Sequence, residues 1–200
     1  SFGIGNATQI NALMSGLSMA FKAIEQPVNQ FWKLFIGAVL AVTVFVMLRG
    51  GAKRIGAAAQ QLVPAASIIY LIICIFVIGS NIAVVDDALR SIVYGAFHAR
   101  AVTGGLVGSA FSALRIGVSR GIFTNEAGMG TASMAHASAE VDHPTDQGLM
   151  GIVEVFLDTI VICTMTALVI LVSGVTIPYG EDVGVTLTTQ AFTEVYGGWV

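Results

Sequence analysis

Asp158 stands inside an apolar run, Val155-Phe-Leu-Asp-Thr-Ile-Val-Ile-Cys-Thr-Met-Thr166. Burying a carboxylate in a membrane-type segment costs roughly 2.5–3.5 kcal/mol, so it needs a proton, a partner or a cation. Glu154 lies one helical turn earlier on the same face. Two readings follow for Asp158: a cation site, or a hydrogen-bonded carboxyl that joins helices. A second group of reactive residues lies in Ser119-Arg-Gly-Ile-Phe-Thr-Asn-Glu-Ala-Gly-Met-Gly-Thr131. There Thr124 offers a hydroxyl and a carbonyl to a cation, and Phe123 can either pack or cover a small ligand. Glu126 suits a brace to Arg120, to Arg115 or to the positive end of a helix restarting near Asn125. A third group, His136, Glu140 and His143, falls at i, i+4 and i+7, the spacing of one helical face. It lacks the HExxH arrangement and Pro144 follows at once, so an exposed helix terminus is the better reading and no transition-metal site is expected. An intramembrane enzyme using Asp158 with His136 or Glu140 is the catalytic alternative. It requires those groups within hydrogen-bond reach, whereas Asp158 should lie deep and His136 near a surface.

The elements that position these residues are written in the composition. The 200-residue chain is 56% hydrophobic and only 10% charged, against about 25% charged in an ordinary soluble domain. With a mean hydropathy of +0.85, it reads as an all-α, polytopic transmembrane helix bundle in a lipid bilayer. A net charge of −3 gives no hint of nucleic acid and no basic run offers a phosphate-binding stripe, so no nucleic-acid partner is expected. Cys74 and Cys163, each in an apolar run, read as packed side chains. The chain starts Ser1-Phe2-Gly3 and ends Gly198-Trp199-Val200, where another apolar run begins. Residues 1–200 are therefore expected to be an internal fragment of a single transmembrane domain.

In order, residues 1–21 read as the last part of a helix facing a polar cavity, and residues 22–30 as a loop. Trp32 to Leu48 is a span, with Trp32 and Lys33 at one interface and Arg49 at the other. Gly50 to Arg54 reads as a short basic loop, placed in the cytoplasm by the positive-inside rule. Leu62 to Val85 is a second span with Pro64 in its first turn. Asp86 to Thr103 is amphipathic and suits a membrane surface. Leu106 to Ala139 is interrupted by Gly121, Gly128 and Gly130. Glycine lowers helix propensity by about 1 kcal/mol, so this cluster predicts a discontinuous helix, the sequence mark of a transporter's binding site. The competing reading is close helix packing through the small-xxx-small pair Gly117 and Gly121. Residues 140–146 form a polar turn, Gly148 to Gly174 is the third long apolar run, and a Thr- and Gly-rich loop leads to Trp199.

Gly117-Val-Ser-Arg-Gly-Ile-Phe-Thr-Asn-Glu-Ala-Gly-Met-Gly-Thr131 resembles the most characteristic motif of the alanine or glycine:cation symporter family. Ser1-Phe-Gly-Ile-Gly-Asn-Ala-Thr-Gln9, Gly50-Gly-Ala-Lys-Arg-Ile55, His143-Pro-Thr-Asp-Gln-Gly148 and Phe156-Leu-Asp-Thr-Ile-Val-Ile-Cys-Thr164 also match it in order, with Ala7-Thr8 as one departure. The resemblance implies a LeuT-type transporter built on inverted repeats. This piece would hold roughly its third to seventh helices and the start of the eighth, without the first. It implies sodium-coupled symport, with protons as the alternative coupling ion, of alanine or glycine across the inner membrane of a prokaryote, and no other cofactor. It further implies that Phe123, Thr124 and Asn125 meet the substrate with Gln9 opposite, and that Thr124 and Asp158 meet the cation.

Overall fold

A computed structural model of the chain describes residues 4–23, 29–97, 106–128, 130–178 and 184–197. Among them the regular elements are helical and no strand occurs. The chain divides into two compact units, residues 1–69 with 174–200, and residues 70–173.

The first unit contains α1 (Ile4–Ala23), α2 (Gln30–Leu48), the first part of α3 (Gly51–Ser80) and α9 (Gly184–Tyr196). Asn29 has an extended backbone and caps α2, its side-chain oxygen accepting the Trp32 N–H at 3.1 Å. Such a cap is worth about 1 kcal/mol over alanine. The Trp32 ring lies 6.1 Å from that of Phe21. At the far end of α2 the Arg49 guanidinium sits 5.9 Å from the centre of the Phe45 ring. Tryptophan at one end and arginine at the other are the flanks of a membrane span, and none of the residues of α2 is buried.

Three sequence expectations change in this unit. Only a turn at Arg49–Gly50 precedes α3, so Lys53 and Arg54 stand in its first turn and not in a loop. Ala57 to Gln61 are good helix formers and carry α3 onward. Pro64 consequently lies in the helix interior. There it withholds a donor from the Gln60 carbonyl, a defect of about 3 kcal/mol in an isolated helix. The Thr-rich stretch expected as a loop forms α9 instead. Leu187 and Ala191, at i and i+4, are buried on one face, and α9 packs against α1. Tertiary packing here overrides the weak helix propensity of threonine.

The second unit runs from the end of α3 through α4 (Ile82–Phe97), α5 (Leu106–Thr124), α6 (Thr131–His136), α7 (Pro144–Val155), a π-helical stretch (Phe156–Ile162) and α8 (Cys163–Val172). The second span ends earlier than expected, at Ser80, where the Asn81 side-chain amide donates to the Val77 carbonyl at 3.0 Å. Asp86 and Arg90 pair at 2.8 Å across one exposed turn of α4, a contact of little energetic weight in water. The end of the expected surface stretch, with His98 and Arg100, lies outside the described residues. Cys74, Val77, Ala88, Val169 and Val172 form the buried centre of this unit. The hydroxyls of Tyr70 and Thr166 share a hydrogen bond of 2.6 Å that joins α3 to α8. Of the two free thiols, Cys74 is fully buried as expected, but Cys163 is exposed.

Pro144 opens α7 at its first turn, following an extended His143. Proline is preorganised for that position and its missing N–H is no loss there. From Pro144 the helical path runs unbroken to Val172. It is one of three stretches among the described residues long and apolar enough to cross a membrane, with Gln30–Leu48 and Lys53–Ser80. The chain is therefore all-helical over its described residues and multi-pass.

Candidate functional site

The end of α5 is built by a specific hydrogen-bond pattern. The Ala127 N–H donates to the Ile122 carbonyl at 3.0 Å, and the Glu126 N–H to the Phe123 carbonyl at 3.1 Å. This nested pair is a Schellman motif, whose penultimate residue must adopt the left-handed backbone. Glycine usually fills that place. Here it is Glu126, with φ of 50°, a conformation costing a side-chain-bearing residue about 1–2 kcal/mol. Its carboxylate accepts the Thr131 hydroxyl and so closes the turn.

Gly128 and Gly130 follow with φ of 80° and 79°, and Gly130 begins α6. Gly121 remains inside α5, where its carbonyl accepts both the backbone N–H of Asn125 at 3.1 Å and its side-chain amide at 2.8 Å. The left-handed positions are thus Glu126, Gly128 and Gly130. The Schellman pattern employs the carbonyls of Ile122 and Phe123 and leaves those of Thr124 and Asn125 outside it.

Opposite this end stands the π-helical stretch. Its wider turn is seen in the Cys163 N–H, which donates to the Asp158 carbonyl five residues back. Such turns add a residue to one helical turn and recur at functional sites. Thr159 donates to the Asn125 side-chain oxygen at 3.4 Å, a long hydrogen bond that connects the π stretch to the end of α5. Asp158 is half-buried, and its carboxylate has no hydrogen-bond or ion-pair partner among the described residues. The arrangement therefore sets oxygen-bearing groups on two elements near each other: Thr124 and Asn125 on one, Asp158 and Thr159 on the other. Oxygen ligands are what a hard monovalent cation requires.

Phe123 is 44% exposed at this end, and Thr124 and Asn125 are exposed as well. Gln9 lies exposed on α1, in the first unit. His136, Glu140 and His143 do not share a helical face, since α6 ends at His136 and His143 precedes α7. No cluster of three or more His, Cys, Asp or Glu residues among those described could hold a metal. His136 pairs with Glu154 at 3.3 Å and with the Gln147 side chain. No hydrogen bond or ion pair joins Asp158 to His136 or Glu140, so the contact that the enzyme alternative needs is not made. Sequence reasoning missed Thr159 as the partner of Asn125 and Gln147 as a partner of His136. Its one available signal was the Thr directly after Asp158; the pairing itself spans 34 positions.

Compared with known proteins, residues 1–200 match the sodium:alanine symporter family throughout. The chain belongs to that family. It is 40% identical over 200 residues to the amino-acid carrier protein AlsT of Bacillus subtilis (strain 168), covering all of this chain and 40% of AlsT. It is 37% identical over 194 residues to the sodium/alanine symporter AgcS of Methanococcus maripaludis, covering 96% of this chain and 40% of AgcS. The probable sodium/glutamine symporter GlnT of Bacillus subtilis (strain 168) is 39% identical over 202 residues, covering 100% of this chain and 39% of GlnT. The chain spans about two-fifths of the length of these relatives. The sodium:alanine symporter family is one of transporters, not enzymes.

Proposed function

We propose that the protein carrying this chain is a secondary active transporter of the prokaryotic inner membrane, coupling sodium entry to uptake of a small neutral amino acid, alanine or glycine. The observation that carries the reading is the end of α5. A helix stops at Thr124 by a Schellman motif that leaves two carbonyls outside it, a further helix starts at Thr131, and Asn125 between them is bonded by Thr159, the neighbour of half-buried Asp158. In this reading α5 and α6 are the two halves of a discontinuous helix in a LeuT-type fold. Phe123, Thr124 and Asn125 contact the zwitterion. Thr124 and Asp158 supply oxygens to Na⁺, and Phe123 covers the small side chain. Residues 1–200 form an internal part of the transporter domain, from about the third helix to the start of the eighth. The first and eighth helices supply the remainder of the site.

Family relatives bear names with alanine and with glutamine, so membership alone does not select the amino acid. The test is uptake of radiolabelled alanine by vesicles containing the full-length protein, with glycine and glutamine as competitors. Accumulation that requires an inward sodium gradient and is competed by glycine is expected. Accumulation driven only by a pH gradient would transfer the coupling to protons. No accumulation of any of the three amino acids would sink the transport reading.

A further inference from the structure

One side-chain cluster in the second unit lies outside the binding residues. His136, the last residue of α6, sets its ring between two side chains of α7. Its Nε2 is 3.3 Å from a Glu154 carboxylate oxygen, and its Nδ1 is hydrogen-bonded to the Gln147 amide nitrogen. A neutral imidazole with its proton on Nε2 satisfies both contacts, donating to the carboxylate and accepting from the amide. Gln147, Gly151 and Glu154 stand at i, i+4 and i+7, one stripe of α7. The ring crosses that stripe over Gly151, where an added Cβ would lie 3.9 Å from its Cε1 atom. The His136 and Glu154 side chains are 33% and 66% exposed. The contact can therefore open without emptying a core.

The other end of the same segment is also tied down. Asn125 meets Thr159, on the π stretch that continues α7 without interruption. Asn125 and His136 are thus both held to one helical path. Between them lie Glu126, Gly128 and Gly130, each with a left-handed backbone. Left-handed positions between two helices are the kind of place where a backbone absorbs a change of direction, so the contacts at Asn125 and His136 are placed to govern it.

We propose that His136 is a positioning residue: its bonds to Glu154 and Gln147 latch α6 against α7 and set the rate at which the segment bearing the α5 end changes conformation. It touches neither amino acid nor ion. The inference rests on the transport reading, and its test separates the two. The full-length protein is compared with His136→Ala, Glu154→Ala and His136→Gln at equal membrane abundance. Both losses of the latch, His136→Ala and Glu154→Ala, should lower the maximal uptake rate about fivefold, the scale of one charge-assisted hydrogen bond partly screened by water. The alanine and sodium concentrations for half-maximal uptake should stay within about twofold, since uniform binding is untouched. Hydrogen exchange of residues 131–136 should accelerate while that of α8 does not. His136→Gln, whose amide nitrogen can take the place of Nε2 toward Glu154, should recover most of the rate. A shift in half-saturation at constant maximal rate, or unaltered exchange and rate in His136→Ala, would overturn the latch. An unmodified protein that accumulates no amino acid refutes the transport reading instead, and that result is read before any variant is made.

Discussion

At the scale of single residues, Glu126 is the most informative side chain. It holds a left-handed backbone in the place where a Schellman motif favours glycine, and its carboxylate accepts the Thr131 hydroxyl. Glu126→Ala keeps the backbone cost and loses the bond, so it should destabilise the protein by about 1 kcal/mol. Glu126→Gly loses the same bond but removes the cost, and should stay within about 0.5 kcal/mol of the parent. Thermal unfolding in detergent measures both; equal losses would mean that the left-handed position carries no strain. Phe123 offers a second prediction. As a cover for the substrate side chain, Phe123→Ala should weaken alanine binding by about 1–3 kcal/mol, the range for one misfitted apolar contact. Unchanged half-saturation for alanine would reduce it to packing. That left-handed glycines occur in this region was legible from Gly128 and Gly130, whereas Gly121 stays inside α5. That the stop is made at a glutamate was not legible, because no propensity scale expects Glu at positive φ.

At the scale of elements, the π stretch sets the registry between α7 and α8. Asp158 lies within it and Thr159 reaches from it to Asn125. Asp158→Asn preserves shape and removes the charge that would hold Na⁺. The variant should need about tenfold more sodium for half-maximal uptake, equivalent to about 1.4 kcal/mol. Uptake with the parent's sodium dependence would leave Asp158 as a structural group. Deleting Val161 should return the wide turn to an ordinary α-helix and rotate Thr159 away from Asn125 by about 100° relative to α8. Uptake should then be lost while the protein still reaches the membrane, and retained uptake would show that the added residue does not set the site. The long apolar runs were readable as spans because hydropathy and length decide them. The π turn was not readable: its cause is a single surplus residue inside an apolar run, which leaves the composition of that run unchanged. The same holds for α9, whose Leu187 and Ala191 are buried in the structure and which packs on α1, a long-range pairing the local sequence does not show.

At the scale of the molecule, the buried residues among those described are few and local to each unit, and α2 buries none of its own. Such a chain leaves wide apolar faces to lipid or to the rest of a longer protein. If the first and eighth helices complete the substrate site, the 200 residues alone cannot enclose a ligand. The isolated piece in detergent should therefore show no saturable binding of labelled alanine at micromolar concentrations by equilibrium dialysis. Micromolar binding by the piece would place the whole site within residues 1–200.

The sorting of the two thiols has a practical consequence. Cys74 is sealed within its unit, whereas Cys163 is open at the junction of the π stretch and α8, five residues after Asp158. Maleimide chemistry consumes the thiolate and so proceeds only where water reaches the sulfur. The unaltered protein thereby carries its own hydration gauge beside the candidate cation site: rapid labelling reports a water-filled vestibule, slow labelling a lipid-facing wall. A Cys163 labelling rate that changes when sodium is added, read on the peptide that carries Cys163, would register alternation of that vestibule directly.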